Sequence, residues 1–292
     1  MVPHPRIGPL MVDRLGPADL TEVFAYLDRD PVLNVYLMAL VLRDALSAPR
    51  DEYWGVRRDG AIEALLHIGS QSGAVLPLGE HPAALRRLAE TARQRLAFLP
   101  RRFQIIGPRP AVEVMVEMLA RSGMRPRLER AQVYMSLAAQ ALPEFERLPE
   151  LLPARPEDAE LIYESGACLR LEELEEDPRQ ADPEGYRRRV EEECRDGHTY
   201  AWRDAAGLCF RASVSALTGD AAQISGVYTP PERRNRGLAR RGLAELCTRL
   251  LARCGSVCLF VNEFNEPALA LYRRLGFTLR APWKSAFYDV GH

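Results

Sequence analysis

Apolar and polar positions run along the chain in two successive rounds of the same order. The first opens with the apolar segment Leu10–Leu15 and then Gly16-Pro17-Ala18-Asp19, a helix-start signal. Glu52–Arg57 and Ala61–Ile68 read as strands flanking Arg58-Asp59-Gly60, a hairpin turn. Helical spacing then predicts helices over Pro82–Leu96 and Ala111–Arg121, with the strand Phe103–Ile106 between them and a closing β segment after.

The second round opens with a short strand at Leu151-Leu152, followed by the helix start Pro156-Glu157-Asp158. Strands are predicted at Thr199–Trp202 and Leu208–Ala216 around the turn Asp204–Gly207, and at Ala221–Tyr228 after Thr218-Gly219-Asp220. The helix Leu238–Arg253, the strand Val257–Val261, the helix Pro267–Leu275 and a final β segment complete it. Strand, helix, meander, helix, strand, helix, strand is an α/β (mixed α+β) order, with one mixed, largely antiparallel sheet flanked by helices in each round. Two tandem domains follow, residues 1–140 and 141–292, joined through Ala138–Pro153, where Pro143, Pro149 and Pro153 interrupt a charged stretch. Two unrelated α/β domains would give the same order.

The 292-residue length suits two domains of about 140 residues each. A hydrophobic fraction of 47% with 27% charged residues is that of an ordinary globular chain, and a formal charge of −1 provides no basic field for nucleic acid. Val32–Leu42, the longest apolar run, is interrupted by Asn34 and is too short to span a bilayer. Met1-Val-Pro-His-Pro-Arg6 lacks the apolar stretch of a signal peptide, so a cytoplasmic location is expected. Cys168, Cys194, Cys209, Cys247, Cys254 and Cys258 form no CxxC pair, and only His198 lies near any of them. They read as small buried hydrophobes rather than zinc ligands, and no metal is expected.

The densest chemistry lies in Ser225-Gly-Val-Tyr-Thr-Pro-Pro-Glu-Arg-Arg-Asn-Arg-Gly-Leu-Ala-Arg-Arg-Gly-Leu243. A strand must end at Pro230-Pro231, which lack amide hydrogens, and a helix starts near Gly237. The first amides of a helix have no internal partner and sit at the positive end of its dipole. Gly237 and Ala239 let an anion come close, and Arg233, Arg234, Arg236, Arg240 and Arg241 surround the loop. Any phosphate site, or a merely solvated basic turn, fits these residues alone.

Arg234-Asn-Arg-Gly237-Leu-Ala239 resembles the Gln/Arg-x-x-Gly-x-Gly/Ala signature of the GNAT superfamily of acyl-CoA N-acyltransferases. Downstream, Asn265-Glu-Pro-Ala-Leu-Ala-Leu-Tyr272-Arg-Arg-Leu-Gly-Phe277 is similar to that family's second motif, and the resemblance covers roughly Gln223–Phe277. The wider chain resembles bacterial GNAT proteins with an N-terminal domain of unknown function, through Leu27-Asp-Arg-Asp-Pro-Val-Leu-Asn-Val-Tyr-Leu37, Glu52-Tyr-Trp-Gly-Val56 and Ile105-Ile-Gly-Pro108.

The resemblance implies two tandem GNAT-like domains, the second with an intact acyl-CoA site. It implies acetyl-CoA as donor, with an amine of a small molecule, peptide or protein as acceptor and neither nucleic acid nor membrane as partner. Backbone groups of Val227, Tyr228 and Thr229 would bind the pantetheine arm. The segment Arg234, Asn235, Arg236, Gly237, Leu238, Ala239 and Arg240 would bind the pyrophosphate, and Asn265 would contact the cofactor or cap its helix. Tyr272 aligns with the tyrosine that many members point at the donor sulfur, where a phenol can protonate the departing thiolate, or it packs in the core on the helix face of Ala268, Leu271 and Leu275. Where many members place a catalytic glutamate this chain has Phe260, which leaves Glu263, Glu173 and Glu172 as candidate bases. That departure keeps open a non-catalytic acyl-CoA sensor, and the pairing of two domains keeps open aminoacyl transfer. In the first half, Ala74–Ala83 holds Gly79 and Glu80 but no arginine cluster, so donor binding is not expected there, and the domain reads as degenerate. Tyr53, Trp54 and His67 could line an acceptor pocket or simply be buried on their hairpin.

Overall fold

The computed structural model describes residues 8–290 and separates into two compact units. The opening segment Met1–Arg6, read above for signal-peptide character, lies outside the described residues. The first unit runs to Tyr134 and also takes Asn262–Phe264 and the segment from Arg280 onward; the second holds Met135–Val261 and Asn265–Leu279.

Strands β1 (Met11–Leu15), β2 (Asp51–Arg58), β3 (Ala61–Gly69), β4 (Ala74–Gly79), β5 (Arg102–Pro108) and β6 (Leu128–Ala138) belong to the first round of the chain. Its helices are α1 (Leu20–Leu27), α2 (Val35–Asp44), α3 (Pro82–Arg95) and α4 (Arg109–Arg121). β1 through β4 form an antiparallel meander, β4 meets β5 in parallel, and the chain's last strand (Thr278–Asp289) pairs antiparallel with β5 from Trp283↔Pro108 to Asp289↔Arg102. The β2–β3 turn uses Asp59 and Gly60, both with positive φ (50° and 85°), as a two-residue hairpin requires.

β3 is buried on both faces. Ala64, Leu66 and Ile68 pack with Leu88, Ala92, Met115 and Leu119 of α3 and α4, while Leu65 packs with Val23, Leu27, Met38 and Val41 of α1 and α2. The apolar run Val32–Leu42 is therefore largely α2, a core helix, and among the described residues no helix is long and apolar enough to cross a membrane.

The second unit contains β7 (Leu152–Pro153), α5 (Ala159–Leu174), α6 (Pro178–Ala181), α7 (Pro183–Arg195), β8 (Thr199–Asp204), β9 (Gly207–Leu217), β10 (Ala221–Tyr228), α8 (Leu238–Leu251), β11 (Ser256–Asn262) and α9 (Glu266–Arg274); the closing strand above is β12. β7 to β10 pair antiparallel in chain order, and β11 joins β10 in parallel. The mixed, largely antiparallel sheets flanked by helices that the pattern predicts are thus present in both rounds. α5 and α7 bury Ile162, Tyr163, Ala167, Tyr186, Val190 and Cys194 against Ala201, Leu208 and Tyr228.

α8 buries Leu243, Leu246, Cys247 and Leu250, and Gly242 lies so close to the Phe210 ring that any side chain there would collide with it. The connecting segment is tied to the same helix. The Glu245 carboxylate, 1% exposed, accepts from Arg147 Nε and Nη2 (2.7 and 2.9 Å), the Leu148 amide (3.0 Å) and Arg249 Nε (2.8 Å). These partners, Arg147 foremost, hold its pKa down to about 2.

An unfolded glutamate titrates near ~4.3. The cluster therefore contributes fully above that pH, and its contribution is lost as pH falls through the folded value. Glu245→Gln is expected to cost about 1–3 kcal/mol at pH 7. The gap from wild type should close as pH drops from about 4 to about 2, read as urea midpoints across pH.

Candidate functional site

β10 and β11 pair only over Ala221↔Ser256, Ala222↔Val257 and Gln223↔Cys258. Both strands then continue, β10 to Tyr228 and β11 to Asn262, without pairing to each other. On its other side β10 loses register with β9 between Ser225↔Ser213 and Tyr228↔Arg211, three steps against two, with Gly226 at φ 60°. This is a β-bulge with glycine in the left-handed position, and it bends the strand before Tyr228 rejoins the ladder at Arg211. The result is a slot beside β10 whose wall carries unpaired backbone.

At the strand's end Pro231–Arg233 form one 3-10 turn, whose amides at Arg233 and Arg234 are taken by Pro230 O (2.9 Å) and Pro231 O (3.2 Å). Asn235 (φ 61°) and Gly237 (φ 76°) are both left-handed, and α8 begins at Leu238. The helix's own first bond is Arg241 N to Gly237 O at 3.1 Å. Between these, the six amides from Asn235 to Arg240 donate to no acceptor among the described residues. A Cβ built on Gly237 meets nothing within 4 Å, so glycine is required there by its backbone angle, and it leaves the turn bare.

The five arginines around this turn divide by role. Arg233 is buried, with a two-pronged bond to Asp204 (2.8 and 2.8 Å) and a contact to Cys209 Sγ (3.0 Å), which fastens the turn to the β8–β9 hairpin. That guanidinium holds the Asp204 carboxyl well below the usual carboxylate range. Arg234 donates through Nε to Thr229 O (3.0 Å) and through Nη2 to both Glu172 oxygens (2.8 and 2.9 Å), so it braces strand exit against α5. Arg241 lies over the Trp202 ring and 3.5 Å from Glu146. Arg236 and Arg240 are exposed and have no partner among the described residues; they are the cations available to an anion at the turn.

Tyr272 is buried on α9, and burial raises its phenol well above the ordinary value, with the Glu173 charge adding to the effect. With its pKa raised, the phenol stays protonated and neutral. Glu173 lies at the C-terminal end of α5, half-buried. Glu263 groups with the first unit, where its carboxylate pairs with Arg109 and its amide donates to Ala131 O at 3.0 Å. Asn265 caps α9, its Oδ1 accepting from the Ala268 amide at 3.2 Å. Phe260 lies half-buried in β11.

A cleft of about 460 Å³ opens beside Tyr228. One face of α5 lines it at helical spacing through Leu161, Ser165, Cys168 and Glu172, with Leu208 and Pro230 opposite. Burial, with the Cys168 thiol and the Glu172 carboxylate nearby adding to it, pushes the Tyr228 hydroxyl up to about 12. Sequence reasoning took Cys168 for a core residue; it is the one half-buried cysteine of the six. The i, i+4, i+7, i+11 series 161–165–168–172 was the available signal.

The first unit offers no such slot. β4 and β5 also pair in parallel over two residues only, Ala74↔Gln104 and Val75↔Ile105. Gly107, however, sits so near Pro77 that an added Cβ would lie 2.9 Å from its carbonyl oxygen, so strand fills the space between them. Tyr53 and His67 are buried, their rings 4.8 Å apart, and Trp54 Nε1 donates to Glu52 at 3.0 Å; hairpin packing accounts for all three.

Residues 168–277 match the acetyltransferase (GNAT) family, and residues 51–162 match a domain of unknown function, DUF4081. No curated protein matches the sequence. Among solved structures the chain is similar to a GCN5-related N-acetyltransferase from Sphaerobacter thermophilus, with 18% identity and TM-score 0.57 over 97% of this chain and 96% of that one. A GNAT acetyltransferase from Colwellia psychrerythraea aligns at 13% identity and TM-score 0.55 over 95% and 99%. A tandem GNAT protein of the clavulanic acid biosynthesis pathway, solved without acetyl-CoA, aligns at 20% identity and TM-score 0.51 over 97% and 99%. At these identities the likeness is one of fold.

The Asp204–Arg233 pair gives the turn its anchorage. Asp204→Ala strands a buried guanidinium and is expected to lower stability by about 1–3 kcal/mol. Chemical denaturation measures that cost, and faster amide hydrogen exchange in the segment around Gly237 should accompany it.

Proposed function

We propose that this chain, whose residues 168–277 form a domain of the acetyltransferase (GNAT) family, is an N-acyltransferase that carries an acetyl or other acyl group from acyl-coenzyme A to an amine. The observation that carries the reading is the run of six unpartnered amides, Asn235 to Arg240, at the head of α8. A diphosphate satisfies such a row, and Arg236 and Arg240 add charge to it. The slot beside β10 takes the pantetheine arm as an extra strand, along Val227, Tyr228 and Thr229. Asn265 stands at the adjoining head of α9.

The amine nitrogen attacks the thioester carbonyl, the C–N bond forms, and the C–S bond breaks. A backbone amide near Tyr228 receives the oxyanion. Tyr272, kept neutral by burial, gives its proton to the departing thiolate. An alkylamine of pKa ~10.4 is only about one part in two thousand neutral at pH 7, so its proton must be taken. Glu173 is the preferred base, since its charge already acts on the Tyr272 phenol. Glu263, engaged by Arg109, is the less suited candidate. Phe260, where related enzymes carry a carboxylate, favours a second reading as an acyl-CoA sensor without turnover.

Calorimetry with coenzyme A, together with free-thiol release from acetyl-CoA across an amine panel, tests the proposal. Binding with turnover supports it, binding without turnover on any amine selects the sensor, and no heat with coenzyme A ends both. Gly237→Asp puts a carboxylate and a strained φ at the turn and is expected to abolish coenzyme A binding while the melting temperature stays close to wild type. Tyr272→Phe should lower kcat by about 10- to 100-fold with donor affinity unchanged; an unaltered kcat would remove its role as acid.

A further inference from the structure

The bulge at Gly226 sets the direction of the amides at Val227 and Tyr228, and one buried cation lies directly behind it. Arg211 on β9 is the register partner of Tyr228 and is 5% exposed. Its Nη1 donates to Ile162 O of α5 (3.1 Å) and its Nη2 to Ser213 Oγ (3.4 Å). The nearest carboxylate is Glu193, with Oε1 3.6 Å from Nη2; that oxygen also accepts from Ser213 Oγ (2.6 Å) and from Thr199. Arg211 Nε is buried and has no hydrogen-bond partner.

Two glycines make room for this guanidinium. A Cβ on Gly166 of α5 would lie 3.0 Å from Nη1, and a Cβ on Gly226 at the bulge would lie 3.2 Å from Nη2. A helix and a bulged strand are therefore both shaved to the backbone around one cation. Burying a guanidinium is costly unless it is fully paired, and here the Nε N–H has no partner and the one carboxylate contact among the described residues is long. Hydrophobic packing alone would be served better by an apolar side chain of the same volume.

We propose that Arg211 is a positioning residue for acyl transfer. It wedges the Gly226 bulge into the geometry that presents the Val227 and Tyr228 amides to the thioester oxygen, and its charge favours the oxyanion formed there. The inference rests on the acyltransferase reading above. It assigns Arg211 no part in holding the diphosphate, which the turn from Asn235 to Arg240 supplies.

The test is a comparison of Arg211→Met, Arg211→Lys and Gly226→Ala, with kcat, acetyl-CoA KM, coenzyme A affinity and melting temperature measured for each. Arg211→Met keeps volume and removes charge. It should lower kcat about 100-fold, the size of losing one oxyanion donor, with coenzyme A affinity within about threefold of wild type. Arg211→Lys should recover part of that loss. Gly226→Ala, which leaves Arg211 in place but pushes a methyl group against it at a left-handed φ, should lower kcat by at least about tenfold.

Folded variants that keep wild-type kcat overturn the proposal. So does a loss of coenzyme A affinity in step with kcat, which marks Arg211 as merely structural. Should Arg211→Met fail to fold, Arg211→Lys and Gly226→Ala decide by the same criteria. If the wild type binds coenzyme A but turns over no amine, it is the acyltransferase reading that falls.

Discussion

The second unit is organised around a deficit: a helix that begins with its amides unsatisfied. Buried unpaired amides are rare in folded proteins because each costs the free energy of a lost hydrogen bond. Here Asn235 to Arg240 escape that cost by lying at the surface, where water satisfies them until a better acceptor arrives. The turn must nevertheless hold its shape without internal bonds, so the order comes from its ends. Arg233 is fixed to Asp204, Arg234 spans Thr229 and Glu172, and α8 is clamped from below by the Gly242–Phe210 contact and by Glu245. Positive φ at Asn235 is the local strain that this anchorage sustains, while Gly237 adopts its own left-handed angle freely.

The same logic explains why two rounds of one topology differ in use. Both contain a parallel strand pair that separates after two or three residues. In the first, Gly107 lets the backbone close on Pro77, so the strands occupy the gap themselves. In the second, β10 bulges at Gly226 before Tyr228 rejoins β9 at Arg211, and among the described residues its pairing with β11 stops at Gln223. One glycine permits approach and the other permits departure. Composition is the same; position decides.

Much of the fold was legible because burial imposes a period. β10 was read with both ends correct, Ala221 and Tyr228, because a turn precedes it and two prolines follow. α8 and α9 were read within two residues of their ends. α7 was passed over in a highly charged stretch, although Tyr186, Val190 and Cys194 recur every four residues on its buried face. The bulge left only the faint trace of a glycine inside a strand. The arginines were the least legible: five surround the turn in the sequence, yet Arg233, Arg234 and Arg241 are spent on Asp204, Glu172 and Trp202. Which cation meets which carboxylate depends on elements dozens of residues away. The return of the segment from Arg280 to the first unit is likewise a long-range choice that no local pattern records.

A site built from main-chain groups makes few demands on side chains. The turn needs a left-handed residue at Gly237 and small neighbours, and the slot needs an interrupted ladder; neither specifies much sequence. That is how the fold persists in solved structures of only 13% to 20% identity. It also explains why the recognisable motif is short while the surrounding residues are free to differ. In the proposed reaction, side chains matter where charge must be moved, at Tyr272 and at the carboxylate that would serve the amine. There Phe260, where the resembled family often has a glutamate, leaves the proposed proton path to another carboxylate. The proposed replacement lies at the end of α5, where Glu173 is the residue whose charge acts on the Tyr272 phenol.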